Sequence, residues 1–185
     1  HEIMVDEYQD TNEVQNCIFR AISRQEQNLF AVGDVKQSIY RFRLADPTIF
    51  LEKYLTYCAA GEAKEGEPRK VLLSANFRSG IEIIDAVNDV FRDCMSERVG
   101  GLVYGEEEAL REGVPHTALP DAAVELYGIE IQEDTYAEEA DFVARRIEEM
   151  LRSGTLVRDG ENVRPVREED IVILLRSPGS VGARF

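Results

Sequence analysis

Residues 3–11 read Ile3-Met4-Val5-Asp6-Glu7-Tyr8-Gln9-Asp10-Thr11, and residues 29–34 read Leu29-Phe30-Ala31-Val32-Gly33-Asp34. Each is a short apolar run stopped by an acid, as expected of a buried strand with carboxylates at its C-terminal end. Between them Val14, Cys17, Ile18, Ala21 and Ile22 recur at helical spacing, with Asp10 and Thr11 available as caps. Strand, helix, strand in that order predicts an α/β layer with a parallel sheet. Ligands of such sheets gather where strands end, and both Asp6-Glu7 and Gly33-Asp34 fall there.

Working outward, Pro47 to Tyr57 predicts a helix with proline in its first turn. Val71-Leu72-Leu73 predicts a third short strand, and Ile84, Val87, Phe91 and Cys94 mark one face of a helix. Residues 96–123 are rich in glycine and proline and predict irregular backbone. Val124 to Ile131 predicts a strand. Thr135 and Glu138 have the spacing of a capping box before a helix that buries Ala140, Val143, Ala144, Ile147 and Leu151. Asp159-Gly160 signals a hairpin turn, and Ile171 to Leu175 predicts a buried strand. Charge balance changes near Ser79, which is the expected domain boundary.

The formal charge of the 185 residues is −15, unlike a typical nucleic-acid binder. Most of it sits late: residues 1–79 carry 10 basic and 12 acidic side chains, whereas residues 80–185 carry 11 and 24. Lys36, Arg41 and Arg43 cluster within the near-neutral part, where a local basic groove can still hold phosphates. Cys17, Cys58 and Cys94 lack CxxC pairing, which argues against a zinc site and fits core residues of a cytoplasmic protein. No apolar stretch reaches the roughly 20 residues of a membrane span. The sequence starts at His1 inside an apolar run and ends at Arg184-Phe185, so a fragment is expected.

Three strings carry chemistry. In DEYQDT (residues 6–11), paired carboxylates at a strand end suit phosphoryl transfer, one for Mg²⁺ and one for the attacking water's proton. A bare Asp-Glu pair is more often a solvated turn; the six-residue string is far more specific. In GDVKQSIYRFR (residues 33–43), the Gln37 amide suits a terminal phosphate. Tyr40 and Phe42 alternate with Arg41 and Arg43, an arrangement that stacks unpaired bases and holds their backbone, although core packing is the commoner fate of such aromatics. In LSANFRS (residues 73–79), Arg78 stands where an arginine can reach phosphates, although single arginines more often make weak surface ion pairs.

Taken together, in this order and spacing, the strings resemble motifs II, III and IV of UvrD/Rep-like superfamily 1 DNA helicases. The stretch FRLADPTIFLEKY (residues 42–54) resembles more closely the AddA-type subunits of helicase–nucleases, because ordinary members read Trp and Gly near Phe42 and Leu44. AEEADFVARRIEEML (137–151) and DIVILLRS (170–177) resemble the start of a second RecA-like domain.

The resemblance implies an α/β, incomplete P-loop NTPase (RecA-like) fold. Residues 1–79 would be the C-terminal part of one RecA-like domain and residues 80–185 the N-terminal part of another, each with a parallel sheet. It implies ATP and Mg²⁺ as cofactors, with Asp6 holding the metal through water and Glu7 beside it as catalytic base and metal neighbour. Gln37 would contact the γ-phosphate and share in catalysis. Arg78 would contact the same phosphate, and Arg43 would couple the nucleotide to DNA. Tyr40 and Phe42, with Asn76, would contact DNA, Phe42 offering less stacking area than Trp.

For the parent protein the resemblance implies 3′-to-5′ DNA translocation in double-strand break repair and recombination. Its partners would be single- and double-stranded DNA and an AddB-like subunit. No GxxxxGK[ST] phosphate loop occurs in these residues, so they are expected to be inactive alone as an ATPase. The alternative is a non-catalytic scaffold or interaction module with a degenerate helicase fold.

Overall fold

The computed structural model describes residues 1–116, 119, 123–130, 135–160 and 162–182. Its elements run β1 (Ile3–Val5), α1 (Glu13–Ile22), β2 (Leu29–Ala31), α2 (Thr48–Thr56), β3 (Cys58–Ala59), β4 (Arg69–Lys70), β5 (Ala75–Asn76), α3 (Ile81–Cys94), β6 (Arg111–Glu112), α4 (Thr135–Ser153), β7 (Leu156–Asp159), β8 (Asn162–Pro165) and α5 (Pro178–Val181). They fall into two units, His1–Ala75 with Val87–Arg111, and Asn76–Ala86 with Glu112–Phe185.

In the first unit β1 pairs β2 in parallel, with Ile3 opposite Leu29 and Val5 opposite Ala31. Helix α1 links them as a crossover. Its cap is Asn12, one residue beyond those expected. Asn12 Oδ1 accepts the Gln15 N–H at 2.9 Å, and Gln15 Oε1 accepts the Asn12 N–H at 3.0 Å. This reciprocal box satisfies two of the amide groups that a helix start leaves bare.

Tyr8 is the centre of this unit and is fully buried. Its ring lies 5.9 Å from Phe19 of α1 and 5.8 Å from Phe50 of α2, while its hydroxyl donates to Asn16 Oδ1 at 2.9 Å. Burial raises the Tyr8 pKa against the opposing charge of Lys53.

A second core forms around Asn88, only 5% exposed, on the later part of α3. Asn88 Nδ2 donates to Leu110 O at 2.9 Å, and Asn88 Oδ1 accepts from Leu110 N at 2.9 Å and Tyr104 Oη at 2.6 Å. Residues 102–109, within the stretch expected to be irregular, therefore supply packing: Leu102, Tyr104 and Ala109 are buried. The Tyr54 hydroxyl of α2 donates to Glu108 Oε1 at 2.8 Å. Burial and this bond push the phenol well above its usual range. Burial opposes ionisation of Glu108, but the Tyr54 and Gly105 hydrogen bonds outweigh it and lower its pKa.

In the second unit α4 begins at Thr135 itself, which was expected to cap the helix from outside. In place of the expected parallel sheet, β7 and β8 form an antiparallel hairpin whose last pair is Asp159 with Asn162, so the turn starts at Gly160. Gly160 takes φ 63°, the left-handed turn geometry that glycine adopts without penalty. Arg164 clamps this hairpin. Its guanidinium donates to Asp159 at 2.9 Å and to both oxygens of Asp170 at 2.6 and 2.8 Å. Ala140, Val143, Ile147 and Leu151 of α4 line an apolar groove of about 290 Å³ together with Ile173.

Several expectations fail. Val71–Leu73, residues 124–130 and Ile171–Leu175 join no ladder, and Leu73, Leu126 and Leu174 are strongly exposed. Residue 131 lies outside the described residues. An apolar run becomes a central strand only when neighbours satisfy its backbone groups on both sides, and no other described segment pairs with these three. Val14, Ile18 and Ile22 of α1 are exposed rather than buried, and so is Ala144 of α4. All three cysteines are exposed, not core residues. Among the described residues no helix is long and apolar enough to cross a membrane.

Candidate functional site

The parallel register of β1 and β2 brings their exits together. Val5 O accepts the Val32 N–H at 2.9 Å, and Val32 O accepts the Tyr8 N–H at 2.9 Å. Asp6-Glu7 and Gly33-Asp34 thus leave the sheet side by side. Glu7 takes φ 50° and ψ 43°, left-handed backbone that an L side chain adopts only at a cost. The 3₁₀ turn Tyr8–Asp10 follows it at once. Strained residues of this kind concentrate at functional sites. Here the conformation leaves the Asp6 and Glu7 side chains exposed while Tyr8 and Gln9 turn inward.

One hydrogen-bonded chain crosses between the two exits. Gln9 Nε2 donates to Glu7 Oε2 at 2.6 Å, and Gln9 Oε1 accepts the Asp34 N–H at 3.0 Å. Asp34 Oδ2 accepts from Gln37 Nε2 at 3.0 Å, and Asp34 Oδ1 pairs with Lys36 Nζ at 2.8 Å. Glu7 and Gln37 therefore belong to one connected cluster. Asp6 Oδ1 accepts a short-range bond from the Glu7 N–H, at 2.9 Å.

Gly33 makes the approach possible. A Cβ built there would stand 2.5 Å from Gln9 Oε1 and 3.1 Å from Tyr8 N. Neither Gln9 nor Gly33 is among the sequence-predicted site residues. The only sequence signal for either is position: a glutamine inside the acidic string, and a glycine directly after an apolar strand.

Tyr40, Phe42 and Arg43 form an exposed cluster on the same loop. The rings lie 5.9 Å apart, and Arg43 Cζ sits 5.3 Å from the Tyr40 centroid and 5.5 Å from that of Phe42. Phe42 is 76% exposed, so core packing does not account for it. The guanidinium lies against both rings, which are tilted 43° to each other, so two exposed aromatic faces stand beside a cation. Leu44, at φ 67°, ends the turn.

Asn76 and Arg78 belong to the other unit. Asn76 Oδ1 accepts the N–H groups of Arg78 at 2.9 Å and Ser79 at 2.8 Å, shaping the turn that leads into α3. Asn76 thereby has a structural job, and Arg78 is exposed.

The donor set fits Mg²⁺. Asp6 and Glu7 offer hard oxygens only, and the described residues hold no group of three or more His, Cys, Asp or Glu side chains placed to enclose a metal. Mg²⁺ usually keeps several waters and takes one or two carboxylates plus substrate phosphates, so an edge carrying two exposed carboxylates suits it.

Residues 1–57, which contain this cluster, match the UvrD/REP helicase N-terminal domain. The chain belongs to the UvrD/Rep-like helicase family. Over 95% of its length it is similar to proteins named as the A-type subunit of an ATP-dependent helicase/nuclease. Identity is 42% for that of Clostridium kluyveri, and 41% for those of Alkaliphilus oremlandii and Bacillus mycoides. The chain spans only 16%, 15% and 15% of those relatives.

Proposed function

We propose that these residues form part of the motor of an ATP-dependent DNA helicase of the AddA type found in helicase–nucleases. That motor would work in the cytoplasm beside an AddB-like subunit, translocating 3′-to-5′ on DNA during double-strand break repair and recombination. The reading assigns residues 1–79 and 80–185 to portions of two RecA-like domains.

Glu7 accepts the proton of the water that attacks the γ-phosphate, and Asp6 holds Mg²⁺ through water. Bound Mg²⁺ supplies charge neutralisation on the phosphate oxygens. Gln37 hydrogen-bonds the γ-phosphate, Arg78 contacts it from the second domain, and Arg43 couples it to DNA. Tyr40 and Phe42 stack on unpaired bases, and Asn76 adds a polar DNA contact. The 185 residues include no GxxxxGK[ST] string, so nucleotide binding and turnover belong to the full-length protein rather than to these residues alone.

The observation that carries the reading is the bonded path from Glu7 through Gln9 and Asp34 to Gln37. It joins an acid suited to proton abstraction to an amide suited to phosphate sensing. The test is Glu7→Gln in the full-length protein: ATP turnover is lost while nucleotide binding persists. Turnover near the wild-type rate removes Glu7 from its role.

A further inference from the structure

Gln9 is a polar side chain only 1% exposed, and both ends of its amide are used. It donates to Glu7 Oε2 at 2.6 Å and accepts from the Asp34 N–H at 3.0 Å. We propose that Gln9 is a positioning residue that ties the Glu7 carboxylate to the loop carrying Gln37, Tyr40 and Phe42, so that DNA held by that loop controls ATP turnover. The inference rests on the functional reading above.

Glutamine suits the task because one head presents a donor and an acceptor together. Glutamate in its place keeps the acceptor for Asp34 but turns a negative charge on Glu7. Methionine keeps the length and loses both bonds. The link is stiff for two reasons. Gln9 is enclosed by protein, where hydrogen bonds exchange with little water. The Gln9 amide also packs directly against the Gly33 backbone, in space that a Cβ there would fill.

Three hydrogen bonds lead from the Glu7 carboxylate to the Gln37 amide, and Tyr40 lies three residues further on. A loop displaced or steadied by bases on Tyr40 and Phe42 therefore moves or holds Asp34, and through Gln9 the orientation of Glu7. A carboxylate turned away from its water loses most of what a placed base contributes, on the order of 10²–10⁴ in rate.

The experiment uses the full-length protein with Gln9→Glu, Gln9→Met and Glu7→Gln. For each, kcat for ATP is measured with and without single-stranded oligonucleotide, together with ATP KM and melting temperature. Gln9→Glu and Gln9→Met are expected to lower DNA-stimulated kcat by roughly tenfold to a hundredfold. ATP KM stays near wild type, and the ratio of stimulated to unstimulated turnover falls towards one. A merely structural Gln9 lowers the melting temperature and leaves that ratio intact, an outcome that overturns the proposal. If one variant does not fold, the ratio in the other decides. Should Glu7→Gln abolish turnover while both Gln9 variants keep the wild-type ratio, the link alone is wrong. Turnover that survives Glu7→Gln overturns the functional reading beneath it.

Discussion

Gly33 lies so close to Gln9 that a single added methyl carbon would stand 2.5 Å from the glutamine's Oε1. The nearest obstacles also include a backbone nitrogen, Tyr8 N at 3.1 Å, which cannot swing aside as a flexible side chain can. Gly33→Ala is therefore expected to destabilise the first unit by about 1–3 kcal/mol through overpacking. Urea denaturation of the variant against wild type reads this directly. A change within experimental error would show that the two strand exits are less tightly joined than this contact implies.

Leu44 is the opposite case. It holds φ 67° and is 81% exposed, so it carries a left-handed backbone with little packing in return. Left-handed backbone costs a non-glycine residue about 1–2 kcal/mol, and glycine gives back about 0.5–1 kcal/mol in chain entropy. Leu44→Gly should raise stability by a net ~0.5–1 kcal/mol, by the difference of those two effects. A thermal melt that moves down instead would mean the leucine makes a contact that matters.

Asn88 holds Leu110 through both its backbone groups and also takes the Tyr104 hydroxyl. Asn88→Ala strands all three polar groups at a nearly buried site, which costs about 2–4 kcal/mol. Hydrogen exchange at the Leu110 amide should accelerate in the variant. Unchanged protection there would remove Asn88 as the anchor of the 102–110 segment.

The Arg164 clamp predicts a pH effect. Hydrogen bonds from Arg164, and then the Arg167 amide, hold the Asp170 carboxyl well below the usual carboxylate range. A lowered folded value means the contribution is fully present above the unfolded value, about 4, and fades as pH falls through the folded one. The stability gap between wild type and Asp170→Asn should stay constant above about pH 4 and narrow below it. Unfolding followed in low salt from about pH 6 to about pH 2 checks this, since screening weakens exposed pairs. A gap that widens on acidification has the wrong sign for this clamp.

Much of the candidate site was legible in the residues alone. Asp6-Glu7 and Gly33-Asp34 were placed at strand ends because an apolar run followed by acids has few other readings in an α/β chain. The exposed Tyr40–Phe42 pair was legible only through the alternation with arginine; nothing local separates it from core aromatics. The role of Gln9 and its close contact with Gly33 were not legible, because that contact joins segments 24 residues apart. The strands at 71–73 and 171–175 were misread for a related reason: apolarity records what a segment would bury, not whether a partner stands beside it.

The β1–α1–β2 order, the helices α2, α3 and α4, and the hairpin turn at Gly160 follow from local sequence, since propensity and turn geometry act over a few residues. The tertiary structure alone decided that Gln9 bridges Glu7 and Asp34, that Asn88 gathers Leu110 and Tyr104, and that the cysteines face outward. Hydrogen bonds and burial depend on distances between residues far apart in the chain, and pattern along a sequence does not encode those distances.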